Sequence, residues 1–322
     1  MDSTSRRAVL AAGAGAALAA ALPAASAQAA PGPDHPVRQR LRALEREHDA
    51  RLGAYAHDTG SGRLVTYRAD ERFPMCSTFK TLGAAAVLRD LDGDGAFLAR
   101  RIRYTQQDVT RSGWSPVTED HVDDGMTVAE LCRYSITHSD NTAANLLLRE
   151  LGGPTAITRF ARSLGDRVTR LDRWEPELNS AEPWRITDTT SPRALGRTYG
   201  RLVLGDALAP DDRRLLTGWL LANTTSEERF RKGLPADWTV ADKTGGGRYG
   251  GNNDAGVAWP PGRPPVVLTV LTTRPTEDAQ PDDVLVARAA AVLAEAVSRT
   301  WAPRASLAAA SARPIPDGPS VQ

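Results

Sequence analysis

The stretch Val266-Val267-Leu268-Thr269-Val270-Leu271-Thr272-Thr273, bounded by Pro264-Pro265 before it and Pro275 after it, is built almost wholly of β-branched residues and leucine. A short apolar run of that composition between prolines reads as a strand. Working upstream, Trp238 to Thr244 and Asp254 to Trp259 read as two further strands. Near the other end of the chain Leu52 to Asp58 and Arg63 to Tyr67 do the same, joined by the turn formers Thr59-Gly60-Ser61-Gly62. Between these groups the pattern is helical for about 140 residues from Ser77. Thr127 with Glu130 is a capping box opening a run to Thr137, and Asn141 to Leu151 is a helix stopped by Gly152-Gly153. Ser191-Pro192 opens another with serine as N-cap and proline at the first position, and Pro210 to Ala222 is a fourth. Val37 to Ala50 precedes the first strands as a helix, with Val37, Leu41 and Leu44 on one face. Asp283 to Trp301 closes the pattern as a helix with an acidic start at Asp282 and Asp283 and a basic end at Arg299. Strands at both ends with helices between imply a sheet domain assembled from residues 36–68 and 222–303, with an all-helical domain, 69–221, inserted into it. No internal repeat is found.

The N-terminus is set apart from this fold. Ser5-Arg6-Arg7 followed by an Ala/Leu-rich stretch to Leu22 reads as an export signal over residues 1–29, too short to span a bilayer and ending in Ala25-Ser26-Ala27 or Ala27-Gln28-Ala29. The paired arginines suit the twin-arginine route or an ordinary secretory signal, and either places the mature chain outside the cytoplasm. It is then secreted, or periplasmic where the source has an outer membrane. Losing Arg6, Arg7 and Asp2 takes the formal charge from +1 to 0. A near-neutral chain without a basic stripe has no electrostatic basis for nucleic-acid affinity. No second membrane segment follows, and a monomer with small-molecule substrates is expected. The segment 304–322 is too poor in large apolar residues to fold and reads as a disordered tail. Five scattered histidines, His35, His48, His57, His121 and His138, lack metal-ligand spacing, so no metal and no cofactor are expected. Export would permit one disulfide between Cys76 and Cys132, but their apolar settings suit free buried thiols.

Only three of the 40 basic residues are lysines, at 80, 232 and 243. Arginine cannot give up its proton in a protein, whereas a buried lysine can. Two of the three close or open short hydroxyl motifs: Ser77-Thr78-Phe79-Lys80 and Lys243-Thr244-Gly245. Ser77 and Lys80, three apart at a helix start, share one face, and the apolar residues from Leu82 to Leu88 bury that helix. Ser139-Asp140-Asn141 falls between two helices, and Glu175-Pro176-Glu177-Leu178-Asn179 lies in a helix-poor stretch.

These four motifs, in this order and spacing, closely resemble the class A serine β-lactamases over about residues 36–303. The resemblance implies an α/β (α+β) fold with an antiparallel five-stranded sheet flanked by helices, an inserted all-helical domain, and an active site between them. It implies Ser77 as nucleophile on the lactam carbonyl, with the backbone N–H groups of Ser77 and Gly246 as oxyanion hole. Ser139 would pass a proton to the departing nitrogen, assisted by Lys243. Asn141 would contact the substrate's amide side chain, Thr244 and Arg229 its carboxylate, with Gly245 beside them on the same strand. Glu175 would be the deacylating base, with Asn179 helping to hold the attacking water. For acylation, Glu175 through a water and Lys80 both stand as bases. Bringing Lys80 from a pKa near ~10.4 to ~7 would need about 4.6 kcal/mol, which favours Glu175 with Lys80 as a relay. Arg170 to Asp188 resembles the family's Ω-loop, closed by Arg173 and Asp188, with a cis candidate at Glu175-Pro176. Trp114 falls where the family has an aromatic residue at the cleft mouth; a packing tryptophan is the alternative.

Other motifs carry less. Gly245, Gly247 and Gly250 satisfy Gly-x-Gly-x-x-Gly, but a strand follows rather than a helix. Asp90, Asp92, Asp94 and Gly95 imitate a calcium loop, yet Arg101 stands where a glutamate is needed. His138 reads as structural, and Lys232 as a solvated cation. A D,D-peptidase shares the three hydroxyl and lysine motifs but lacks a deacylating pair such as Glu175 and Asn179; a β-lactam sensor domain would acylate without turnover. Penicillins, then early cephalosporins, are the expected substrates. In carbapenem-hydrolysing relatives a cysteine like Cys76 pairs with one where Gly247 stands here, so carbapenem hydrolysis is not expected.

Overall fold

The computed structural model describes residues 35–299. The expected export signal, the tail and the last two residues of the final helix lie outside them. In chain order, α1 (His35–Glu47) leads into strands β1 (Arg51–Asp58) and β2 (Leu64–Tyr67). After them come α2 (Lys80–Asp90), α3 (Val128–Thr137), α4 (Asn141–Glu150), α5 (Pro192–Val203) and α6 (Pro210–Leu221). Strands β3 (Thr239–Gly247), β4 (Gly251–Trp259) and β5 (Val266–Thr273) return to the sheet, and α7 (Asp283–Ser298) follows. Shorter helical turns connect them.

The sheet runs β2-β1-β5-β4-β3, every neighbouring pair antiparallel, so the first two strands pair with the last three through β1 and β5. All eight residues of β5 are buried because both faces of the sheet are covered. Val266, Leu268 and Val270 join an apolar cluster with Val37, Leu41 and Leu44 of α1 and with Leu285, Ala289 and Leu293 of α7. Val267 and Leu271 point the other way, into a cluster with Phe79, Leu82, Ile136, Leu147 and Tyr199 of the helical segments. Valine and leucine on both faces are what a strand covered on both sides needs, and strict alternation is lost for that reason.

Most local signals are realised. Thr127 and Glu130 form a reciprocal capping box, and Ser191 caps α5 with Pro192 at its first turn. Gly152 and Gly153 stop α4 with φ of +88° and +100°. Some boundaries differ from expectation. Helix α1 stops at Glu47, three residues sooner than the sequence reads, and Asp49 at φ +44° turns the chain into β1, which starts one residue sooner, at Arg51. Strands β3 and β4 extend through glycines that propensity would exclude: Gly245 pairs with Asn253, Gly246 with Asn252 and Gly247 with Gly251. Tertiary packing requires them. A Cβ on Gly245 would lie 2.9 Å from the Met75 carbonyl oxygen, and one on Gly247 2.8 Å from Cys76 Sγ. Their bare backbone lets the edge strand press against the turn that carries Ser77.

Candidate active site

Ser77 sits on a 3₁₀ turn, Cys76–Phe79, that runs directly into α2. The side chains from Lys80 to Leu88 on α2 are all buried, and the Tyr199 hydroxyl pins its start by donating to the Thr78 carbonyl at 2.8 Å. Lys80 is therefore committed to the interior and must find acceptors there. Its Nζ lies 3.0 Å from Glu175 Oε1, and donates to Asn141 Oδ1 at 2.7 Å and to the Ser139 carbonyl at 2.8 Å. Ser139 Oγ is 3.4 Å from the same nitrogen. Ser77 Oγ, with the residue 6% exposed, donates to Glu175 Oε1 at 3.4 Å. One carboxylate oxygen thus faces both the serine and the lysine. Burial pulls the Lys80 ammonium below its ordinary pKa, with the Glu175 charge acting in the opposite direction.

Each partner is fixed by its own element. Asp140 caps α4 and accepts from the backbone N–H groups of Val117, Thr118 and Ala143, which sets the turn on which Ser139 takes φ +58°. Asn141 opens α4, and its Nδ2 donates to the Ser112 carbonyl at 2.9 Å. Glu175 belongs to a loop whose base is closed by Arg173 and Asp188, Nε to Oδ2 at 2.5 Å, and Arg170 pairs with Asp172. The Glu175–Pro176 bond is cis. Asn179 Nδ2 donates to Glu175 Oε2 at 2.5 Å, so the two carboxylate oxygens face different partners.

Asn145 was not singled out from the sequence, yet it holds Glu175 by the backbone: Oδ1 accepts from the Glu175 N–H at 3.0 Å and Nδ2 donates to the Glu175 carbonyl at 2.9 Å. The signal was available, because Asn145 is four residues after Asn141 on α4 and so shares its face. A cavity of about 770 Å³, lined by Ser112, Asn145, Arg173, Trp174 and Glu175 among others, opens beside this loop. A second cavity, about 850 Å³ beside α5, is lined by none of these site residues.

On the sheet side, Lys243 is fully buried and its Nζ donates to the Thr244 carbonyl at 2.9 Å. Burial, then the Lys80 and Arg229 charges, hold this ammonium well below its usual pKa. Thr244 Oγ1 is 2.5 Å from Thr225 Oγ1. Arg229 is placed by Asp283, which takes Nε at 2.7 Å, and by the carbonyls of Gly245 and Asn253 at 3.3 and 3.1 Å from Nη1. A Cβ on Gly245 would lie 3.2 Å from the Ser77 nitrogen, which measures how closely β3 runs past the Ser77 amide. Trp114 is 65% exposed, with Nε1 donating to the His138 carbonyl at 3.1 Å, so it is a surface residue and not a packing one.

The remaining motifs have structural places. His138 Nδ1 lies 2.8 Å from Thr137 Oγ1, and Lys232 is exposed and pairs with Glu228. Cys76 and Cys132 are free and buried, and burial pushes the Cys76 thiol up to about 12. The Gly245-to-Gly250 run forms strand and turn, and among the described residues no group of acidic, histidine or cysteine side chains could hold a metal.

Residues 36–297 match the Beta-lactamase enzyme family. A β-lactamase of Streptomyces fradiae is 72% identical over 296 residues, covering 91% of this chain and 97% of that one. The solved β-lactamase from Streptomyces albus G superposes with a TM-score of 0.80 at 71% identity, covering 81% of this chain and 98% of that one. A solved β-lactamase from Desulfarculus baarsii gives 0.79 at 48% identity over 81% and 97%.

Proposed function

The chain belongs to the class A serine β-lactamases, and from that premise we propose how its own residues open the lactam ring. The observation that carries the reading is Glu175 Oε1, 3.4 Å from Ser77 Oγ and 3.0 Å from Lys80 Nζ, in a buried site. Glu175 is the base for acylation, acting through a water, and Lys80 relays the proton. As Ser77 Oγ bonds to the lactam carbonyl carbon, the charge that develops on oxygen is met by the backbone N–H groups of Ser77 and Gly246. The C–N bond then breaks, and the nitrogen takes its proton from Ser139 Oγ, which is resupplied from Lys80. Lys243 adds positive charge that eases this transfer and attracts the substrate carboxylate, seated by Thr244 and Arg229, with Gly245 leaving room. Asn141 meets the amide side chain and Trp114 borders the cleft mouth. In deacylation Glu175 takes a proton from the water that Asn179 helps to hold, the water oxygen bonds to the ester carbon, and the C–O bond to Ser77 breaks as Oγ takes that proton back from Glu175.

Penicillins are the primary substrates, and the enzyme works as an exported monomer. Among the described residues no helix is long and apolar enough to cross a membrane. We also retain the division into a sheet part, 36–68 with 222–303, and a helical part, 69–221, between which the site lies. Steady turnover of a chromogenic cephalosporin that survives EDTA and is abolished in Ser77→Ala is the expected result. Glu175→Gln should accumulate acyl-enzyme. Stoichiometric trapping by the wild-type protein would overturn the reading.

A further inference from the structure

Asp242 on β3 and Asp254 on β4 take no part in the steps above. Register opposes Asp242 to Gly256 and Thr244 to Asp254, so Asp242, Thr244 and Asp254 project from one face, the two acids as diagonal neighbours. Gly256 makes room for this: a Cβ there would lie 2.8 Å from Asp242 Cβ. Both carboxyl groups are fully buried, and each uses only one oxygen on a visible donor. Asp242 Oδ1 accepts from Asn223 Nδ2 at 3.3 Å and from Arg231 Nη2 at 3.4 Å, and Asp254 Oδ2 accepts from the Phe230 N–H at 3.1 Å. The other two oxygens, Asp242 Oδ2 and Asp254 Oδ1, are buried without a donor. Two such oxygens on adjacent acids cost free energy if both groups ionise, and one proton between them satisfies both.

The charged and titratable groups around the pair come from every element that meets it. Lys243 lies between Asp242 and Thr244 on β3, with Lys80 beyond it; Arg229 and Arg231 flank Phe230; Asp283 opens α7; Tyr199 stands on α5. Arg229 commits Nε to Asp283 at 2.7 Å, so Arg231 is the cation bonded to the pair, and only at Asp242. Burial, then the Asp242 charge, push the Asp254 carboxyl well above the ordinary carboxylate range.

We propose that Asp242 and Asp254 share one proton, and that this proton keeps Asp254 neutral opposite Thr244, where the anionic carboxylate of the substrate is seated. The inference rests on that seat as given under the proposed function. The pair also anchors the segment that builds the seat: Asn223 and Arg231 hang from Asp242 and Phe230 from Asp254, while Thr225 and Arg229 lie between. Loss of the proton sets a second carboxylate beneath the bound anion. Substrate affinity then falls, while kcat is spared because neither acid touches the reacting atoms. Asp254 is a positioning residue. Proton and substrate are linked ligands of one site, for which coupling of about fivefold or more is ordinary.

The test is the pH dependence of KM and kcat for a penicillin in wild type and Asp254→Asn. In wild type KM should rise about fivefold or more towards alkaline pH. In Asp254→Asn, whose amide donates to Asp242 and cannot ionise, that rise should disappear. A rise that persists in Asp254→Asn belongs to Lys243 losing its own proton and overturns the proposal. Should the variant fail to fold, infrared spectra of wild type carrying ¹³C-labelled aspartate decide: a label-shifted band of a protonated carboxyl at mildly alkaline pH is expected, and its absence overturns the proposal. Thr244→Val tests the seat separately. An unchanged KM there would remove the seat while leaving the infrared band, so the two failures are distinguishable.

Discussion

At the scale of single residues, the three lysines divide by burial. Lys80 is enclosed with three oxygen acceptors within 3.0 Å, whereas Lys232 is exposed beside Glu228. Arginine at 80 would bring a larger planar fork into a space fitted to one nitrogen and could not release a proton. Lys80→Arg should therefore lower kcat/KM by about 10²- to 10⁴-fold, the usual size of a lost proton-transfer group, and Lys232→Arg should leave it within about twofold. Steady-state kinetics on the two purified variants check this. Gly247 gives a second test. A Cβ there would stand 2.8 Å from Cys76 Sγ, close to the span from a Cβ to the partner sulfur of a disulfide, so Gly247→Cys should oxidise with Cys76. Thiol titration under denaturing conditions should then find one reactive cysteine, Cys132, in place of three. The motif residues were legible because their chemistry is stated in residue type and spacing. Asn145 was passed over, although it shares a helix face with Asn141, because its work is done on the backbone of Glu175, 30 residues away, and no motif names it.

At the scale of elements, the loop that carries Glu175 is held by charge more than by apolar packing. Arg173 reaches both Asp188 and Glu182, and Asp188 also accepts from the N–H groups of Asp172 and Arg173 at 2.7 and 3.0 Å. Removing the Asp188 carboxylate leaves these donors without their acceptor, so Asp188→Ala should let Glu175 drift from Ser77. On the proposed roles deacylation should slow more than acylation, because Lys80 also carries the proton in acylation whereas deacylation depends on Glu175 alone. Pre-steady-state kinetics should show a burst absent from wild type. Acid acts on the same loop. Hydrogen bonding to Arg170 holds Asp172 below its ordinary 3.8. Glu182, raised by burial, is carried below 4.5 by Ser180 and Arg173. Carboxyls depressed on folding contribute stability that is complete above their unfolded pKa and is lost as pH falls through the folded value. The loop should thus loosen below about pH 4 while the sheet persists. Fluorescence of Trp174 and Trp184, which lie within the loop, should change at higher pH than far-ultraviolet circular dichroism. Residue pattern alone marked this stretch only as poor in helix, since ion pairs between residues 15 apart leave no periodic trace; its closure by Arg173 and Asp188 and the cis bond at Glu175-Pro176 were expected through the family resemblance.

At the scale of the whole molecule, the strand pattern at both ends was readable because β5 consists wholly of valine, leucine and threonine, and its neighbours follow from chain order. The glycine ends of β3 and β4 were not readable, since what makes them strand is the turn of Ser77 pressed against them. The same sheet ties the two apolar clusters together: Val266, Leu268 and Val270 point to α1 and α7, while Val267 and Leu271 point to the helical side. Adjacent residues of one strand cannot leave one cluster without disturbing the other. Damage far from the active site should accordingly lower the stability of the whole and not of one part. Leu41 on α1 is fully buried on the face of the sheet away from the helical segments. Leu41→Ala removes buried apolar atoms and leaves a cavity, at a cost of about 2–5 kcal/mol. At a temperature where the variant is folded, kcat should match wild type, because α1 supplies nothing to Ser77, Lys80 or Glu175. On heating, loss of activity, near-ultraviolet signal and far-ultraviolet signal should coincide at one lowered midpoint. Loss of the sheet signal ahead of activity would instead mean that the helical part, with Ser77 and Glu175, holds its geometry without the strand that carries Lys243. Residual turnover of a chromogenic cephalosporin, measured through the transition, separates these outcomes.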